Sequence, residues 1–481
     1  MTSFCLFFKV HGSLTIKLLC VTIFEYQIIK FSEKEDKMKS KIQLSDHFSY
    51  GRLIRFVIPS VVMMIFTSIY GVVDGLFVSN FVGKTQFAAV NIIFPLMMIL
   101  GGFGFMLGTG GTAIVAKTLG EGDKEKANEY FTFITVFTAM LGTALAAVSI
   151  IFARPVAILF GAEGDMLEYA VRYVRIVLCG MPFFMLQNSF QNFFITAEKP
   201  KLGLAVTVAA GVTNMLLDAL FIAVFKWGIE GAALATALSQ FVGGIVPVIY
   251  FASKNSSTLR FCKTRAYWKI LLDACINGSS ELMSNISSSI VTILYNYQLM
   301  RFAGEDGVAA YGAIMYVAFI FIAIFIGFVI GASPIVSFHY GAENTDELKS
   351  LRKKSINLMF ISGGAMVLIA LALSVPLCKL FVGYDSNLYE ITLRAFIIYA
   401  FSYLVTGFNI FGSAFFTALN NGVVSAAISF LRTLVFQISA VLILPEIFAL
   451  DGVWLSIIVA EALSAIVTTI FLVAKRKKYN Y

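Results

Sequence analysis

Five ionisable side chains stand inside stretches of sequence that are otherwise apolar: Asp74, Asp218, Glu281, Arg432 and Glu461. A charge in hydrocarbon costs about 2.5–3.5 kcal/mol even on the milder scale, so such residues turn inward and mark ion or substrate paths by default. Asn214 lies one helical turn before Asp218 and shares its face. Helical rise places Asp74 about 10 Å, Asp218 about 12 Å and Thr236 about 9 Å from the outer ends of their helices. Two carboxylates, an amide and a hydroxyl can therefore meet at one depth. Such an oxygen set suits a hard cation, either Na⁺ or a proton held on an acid. It would equally serve as a group of helix-packing hydrogen bonds, and spacing does not choose between the two.

Glu281, in Gly278-Ser279-Ser280-Glu281, falls about 18 Å along its helix, near the bilayer midplane. A lone acid facing a cavity there would attract a cationic ligand or carry a second proton; the alternative is a carboxylate bonded to neighbouring serines. Glu461 aligns with Gln240 in a repeat described below and reads as a packed polar position. Glu168 and Arg172 are four residues apart near a helix end and predict an interfacial i,i+4 pair.

The elements that must position these groups follow from composition. Of 481 residues, 59% are hydrophobic and 13% charged, against about 45–50% and 25% in soluble domains. Twelve apolar segments can be marked, near 53–79, 87–115, 129–153, 169–195, 202–225, 231–252, 270–299, 308–337, 356–375, 391–416, 424–444 and 453–474. Each is long enough to cross a bilayer as a helix. Odd-numbered connections hold five Lys or Arg and even-numbered ones fourteen, and the chain ends in Lys475-Arg476-Lys477-Lys478. The bias predicts a multi-pass protein of the cytoplasmic membrane with both termini in the cytoplasm. The net charge of +8 is then a topology signal rather than a sign of an acidic partner.

An internal repeat runs at a constant offset of 221 residues. Phe81-Val82-Gly83 matches Phe302-Ala303-Gly304, and Gly110…Ile114-Val115…Gly120 recurs as Gly331…Ile335-Val336…Gly341. Pro155…Leu159-Phe160 recurs as Pro376…Leu380-Phe381, and Glu230-Gly231 aligns with Asp451-Gly452. The fold class predicted is an all-α polytopic membrane protein: twelve transmembrane helices in two six-helix lobes related by a parallel repeat. The lobes are expected at 38–252 and 270–481, the second with a basic cytoplasmic tail, joined by a cytoplasmic linker at 253–269. Residues 1–37 are expected to be a non-native or disordered extension ahead of a true start at Met38, with a poor signal peptide as the rival reading.

Several classes of chemistry are excluded or left without support. The six cysteines and three histidines are scattered, with neither metal-ligand nor disulfide spacing. Gly83-Lys84-Thr85 resembles the end of a phosphate-binding loop, but Val78 stands where glycine is needed; Gly102-Phe103-Gly104 lacks its third glycine, since Leu107 occupies the place. No nucleotide, nucleic acid, metal or catalytic constellation is expected, and transport would draw on an ion gradient.

At these residues the chain resembles the multidrug and toxic compound extrusion (MATE) family, in its MepA-like branch, over essentially everything after Met38. The marks are Pro59-Ser60 opening the first helix, Val73-Asp74-Gly75-Leu76-Phe77-Val78 within it, and Thr196-Ala197-Glu198-Lys199-Pro200 after the fourth. Asn214…Asp218 in the fifth and Gly231-Ala232-Ala233…Thr236 in the sixth complete them. The resemblance implies a first-lobe cation or proton site at Asp74, Asn214, Asp218 and Thr236, and supports Glu281 as a second-lobe group for substrate or proton. Tyr295, the repeat counterpart of Asp74, lacks a carboxylate, so the second lobe would not duplicate the site. It implies a monomeric secondary antiporter in the lipid bilayer, exporting bulky, often cationic organic compounds against inward H⁺ or Na⁺, with no cofactor. The alternatives are a lipid or oligosaccharide flippase of related two-lobe architecture and, from a different class, a membrane receptor or enzyme.

Overall fold

A backbone crossing hydrocarbon must satisfy its own hydrogen bonds, and helices do so within one segment. The computed structural model describes residues 42–383 and 385–481, and among these every regular element is helical. The predicted extension at 1–37 lies outside the described residues.

Among the described residues, eight continuous helices are long and apolar enough to span a bilayer, and two bent pairs bring the number to ten. Two of the eight are each two spans. Trp268–Gly341 has 74 residues, about 110 Å as one rod, far more than a bilayer core of about 30 Å. It breaks at Gly304, with φ 61° and ψ −148°. Gln437–Ala474 breaks in the same manner at Ala449, with φ 50° and ψ −132°. Twelve spans result.

The first span is Tyr50–Phe77, continued by a π-helical turn at Val78–Val82, and the second is Lys84–Gly120. Lys124–Ile151 is the third, followed by a short helix, Ala153–Leu159. The fourth is bent by 57° between Gly164–Leu178 and Met181–Thr196. The fifth runs Pro200–Asp218 and on through a π-helical Ala219–Val224; the sixth is Gly228–Ala252. Residues 253–267 form no helix. The seventh and eighth flank Gly304, and Thr345–Val382 is the ninth. The tenth is bent by 49° between Ser386–Ala400 and Tyr403–Ala418. Gly422–Phe430 and a π-helical Leu431–Phe436 open the eleventh, and Ala449 separates it from the twelfth.

The repeat is written into the backbone. Gly83 and Gly304, Gly122 and Glu343, and Gly228 and Ala449 are equivalent positions, and all six have positive φ. The two bent spans are also equivalents. The principal contacts between lobes run from the first and second spans to the seventh and eighth.

The closest of those contacts are made backbone to backbone, toward one end of the bundle. A Cβ on Gly120 would stand 2.0 Å from the Phe338 carbonyl oxygen, and one on its equivalent, Gly341, 2.0 Å from that of Lys117. Deeper in, Gly110 meets Ala274 and Gly278 meets Met106 at 1.9 Å by the same measure. No larger residue fits at these crossings without moving a helix. The sealed end is the one where the first span begins and the even-numbered connections lie.

A strap ahead of the first span ties both lobes at that end. The Leu44 N–H donates to Glu198 Oε1 at 3.0 Å, beyond the fourth span. Four residues on, the Phe48 N–H donates to Glu347 Oε1 at 2.9 Å and His47 Nδ1 meets Oε2 of the same carboxylate at 2.6 Å. Lys354 donates to the Phe48 carbonyl, and the buried Phe48 ring packs edge-on against Phe56 and His339.

Candidate functional site

The first lobe gathers its polar groups where the first, fourth, fifth and sixth spans meet. Asp74 lies near the end of the first span and Asp218 at the last α-helical residue of the fifth; each is followed within four residues by a π-helical turn. Such turns widen a helix and recur at functional positions. The two carboxyl groups face one another within hydrogen-bonding reach, with the Asn214 amide beside Asp74. Asp218 is 0% exposed and Asn214 is buried. Both Asp218 oxygens and Asp74 Oδ1 are buried without a hydrogen-bond donor among the described residues.

Thr236, on the sixth span, lies beside the buried Tyr173 phenol, which is within charge reach of both acids, and its own hydroxyl is buried without a hydrogen-bond partner among the described residues. The structure thus brings the four sequence-predicted residues into one cluster. It adds three that sequence reasoning missed. Tyr70, one turn before Asp74, lies close to that acid and to Gln187 on the fourth span. Tyr70 could have been found from the four-residue spacing that puts it on the face of Asp74. Tyr173 and Gln187 lie on either side of the bend in the fourth span, and no spacing pointed to them.

Two adjacent carboxylates removed from water repel one another strongly, and one positive charge between them relieves the repulsion. The unpartnered oxygens are where a proton or small cation would sit, with Asn214, Thr236 and the phenols as neutral partners. Among the described residues, no group of three or more His, Cys, Asp or Glu is placed to hold a metal ion.

The second lobe is organised differently. Arg432, in the π-helical turn of the eleventh span, donates from Nε at 3.0 Å and Nη2 at 2.7 Å to Glu461 Oε1 on the twelfth. Asn409 Nδ2 donates to Glu461 Oε2 at 2.6 Å. Glu461 is the packed polar position expected, now with its partners named. Glu281 stands within charge reach of Arg432 and is half-buried on the seventh span. The alternative reading, bonds to neighbouring serines, is not made by the carboxylate among the described residues: Ser284 donates to the Ser280 carbonyl, and the Glu281 carbonyl takes Asn285. Tyr295, the counterpart of Asp74, is buried and stacked on Tyr311 with centroids 5.1 Å apart.

The expected Glu168–Arg172 pair is corrected. Glu168 bonds Arg154 at 2.9 Å and Arg172 bonds Glu230 at 3.3 Å. Each reaches a neighbouring element rather than its own next turn, since an i,i+4 pair contributes only about 0.2–0.5 kcal/mol and does not hold long side chains against closer partners.

The MatE family model matches residues 59–220 and again 282–443. The multidrug export protein MepA of Staphylococcus saprophyticus is 22% identical over 86% of this chain and 91% of its own length. The probable multidrug resistance protein YoeA of Bacillus subtilis is 27% identical over 73% of this chain and 77% of its own. Among solved structures, "MATE in complex with MaL6" superposes with a TM-score of 0.86 at 23% identity, covering 92% of this chain and all of that one. An "outward-facing conformation of a multidrug resistance MATE family transporter" also gives 0.86 at 23% identity, over 92% of this chain and 99% of that one. At that identity the likeness speaks for the fold.

Proposed function

The chain belongs to the MatE family of multi-pass membrane transporters, and from that premise we propose that it is a secondary antiporter exporting bulky, often cationic organic compounds in exchange for inward H⁺ or Na⁺. The observation that carries this reading is the acid pair of Asp74 and Asp218, with its oxygens buried and unpartnered in the first lobe. An ion entering there neutralises the pair, lets the adjoining π-helical turns repack, and changes the shape of the cavity wall that the first span supplies. The lobes then rock about the glycine crossings at the sealed end, which on the positive-inside reading is the cytoplasmic one. Glu281 supplies a cation-attracting group from the opposite lobe. Names given to the relatives, a multidrug export protein and a probable multidrug resistance protein, support export of drug-like compounds. The same reading includes a monomer, lobes at 38–252 and 270–481, cytoplasmic termini and a cell-membrane location.

The test is dye transport in inverted vesicles under an imposed pH gradient and, separately, an imposed Na⁺ gradient. Cation-dye movement driven by either gradient supports antiport and names the ion. Equal movement with and without both gradients would overturn it.

A further inference from the structure

A cavity at the terminal end of the second lobe lies outside the transport site. It has a volume of about 300 Å³ and is lined by Lys349, Arg352, Lys353, Ile356, Asn357 and Arg476. Four of the six are cations, and little offsets them. Lys349 reaches Asp346 at 3.3 Å, and that aspartate is 94% exposed. Arg352 lies over the Tyr481 ring at 5.2 Å, and its Nε is buried with no hydrogen-bond partner. Lys353 and Arg476 take part in no ion pair among the described residues.

The cavity is held open by specific packing. Tyr481 is buried, its hydroxyl donates to the Leu472 carbonyl at 3.1 Å, and its ring meets Phe415 edge-on at 5.0 Å. This folds the short helix Arg476–Tyr479 back and brings Arg476 to the ninth span. Asn357 is fixed from the other side, donating to the Tyr50 hydroxyl at 2.9 Å.

Concentrated positive charge in an open cavity, with an unused buried N–H, calls for an anion offering several acceptor oxygens, as a phosphate does. The ninth span says which source. Lys353, Asn357, Phe360 and Ile361 follow one another along one helical face; Ile361 is exposed, and Phe360, stacked on Phe408 with centroids 5.3 Å apart, keeps an exposed apolar edge. A cationic mouth above an apolar track fits a headgroup and its acyl chain, whereas a free phosphate has no use for the track. We propose that this cavity binds the phosphate headgroup of an anionic phospholipid of the leaflet on the terminal side of the protein.

The experiment uses the full-length transporter in mixed phosphatidylglycerol–phosphatidylcholine nanodiscs. It measures lipid retained after exchange into detergent, with and without millimolar inorganic phosphate. Expected is preferential retention of phosphatidylglycerol, weakened at least about tenfold by Arg352→Gln/Lys353→Gln and unaffected by phosphate. Lys349→Gln/Lys353→Gln, which leaves the Arg352–Tyr481 contact intact, decides the matter if the first variant does not fold. Equal retention of both lipids, or full retention in the folded variants, would overturn the proposal. Displacement by phosphate would also overturn it, showing a soluble anion site.

Discussion

Asp218 faces Asp74 across the first lobe's interior, and neither of its buried carboxylate oxygens has a hydrogen-bond donor among the described residues. A protein that used these groups only to pack helices would leave a buried charge unpaid, and breaking up that arrangement would be neutral or favourable. A protein that uses them to hold a transported ion must leave the oxygens free. Substitution by the isosteric amide separates the cases. Asp218→Asn and Asp74→Asn are each expected to abolish gradient-driven dye transport in inverted vesicles, to below about one-hundredth of the parent rate. Expression and thermal stability should stay equal or rise. Undiminished transport by Asp218→Asn would contradict the mechanism.

Tyr173 lies between Thr236 and the acid pair, within charge reach of both acids, and its role is to position rather than to carry charge. Tyr173→Phe keeps the ring in its apolar surroundings and removes one hydroxyl. A polar contact between neutral groups contributes about 0.5–1.5 kcal/mol. Half-maximal coupling-ion concentration should therefore rise roughly 2- to 10-fold, while the rate at saturating ion changes little. A loss of maximal rate with unchanged ion dependence would show instead that the phenol acts on the lobe motion.

Much of the architecture is legible in the sequence alone. In hydrocarbon an unbroken apolar run has one open-chain solution, so the twelve segments were visible. The repeat was visible because turn residues with positive φ, such as Gly83 and Gly304, recur with the period. The site was visible in part because Asp74, Asn214, Asp218 and Thr236 betray themselves by polarity and depth. Tyr173 and Gln187 did not: a Tyr in an apolar run is mostly apolar itself, Gln187 is one of several polar residues in Gln187-Asn188-Ser189-Phe190-Gln191-Asn192, and the bend between them destroys helical phase. The π-helical turns beside Asp74, Asp218 and Arg432 have no residue signature. Glu168 and Arg172 misled because spacing reports what can meet, and Arg154 and Glu230 came closer.

Arg432 and Glu461 form a buried, two-bonded ion pair whose side chains are 18% and 5% exposed. Removing one partner strands the other charge, a loss of about 3–5 kcal/mol, whereas replacing both by apolar groups is near neutral. Glu461→Ala should lower the melting temperature in detergent sharply, and Arg432→Met/Glu461→Leu should restore most of it. If the double variant melts as low as Glu461→Ala, the pair is not the source of the loss.

The strap offers a separate handle on the sealed end. Glu347 takes the buried Phe48 N–H and the His47 ring together, so Glu347→Ala leaves the Phe48 amide unsatisfied, at a loss of about 1–3 kcal/mol. Hydrogen exchange across residues 44–49 should accelerate roughly 5- to 100-fold, with the rest of the first span unchanged. Unaltered protection would mean that Lys354 and the ring contacts of Phe48 hold the strap without the carboxylate.

Gly120 and Gly341 make the most demanding crossing, each with a neighbour's carbonyl oxygen at 2.0 Å from where a Cβ would stand. Gly120→Val cannot be absorbed by a rotamer change, because the obstacle is backbone. The two lobes must separate at that end, and the balance of conformations moves toward one open on the terminal side. A cysteine replacing buried Ile114, one turn along from Gly110, reports the opening through its alkylation by an impermeant maleimide in inverted vesicles. In the Gly120→Val background the rate should rise at least about tenfold, the change that ~1.4 kcal/mol in that balance produces. Gly341→Val, its repeat equivalent, should behave alike, because the same oxygen-to-Cβ clash is met from the other lobe. A rise in one and not the other would show that the crossing does not work as a symmetric hinge. No rise in either would place the barrier to opening elsewhere, with Gly110 and Gly278 the next crossing to substitute.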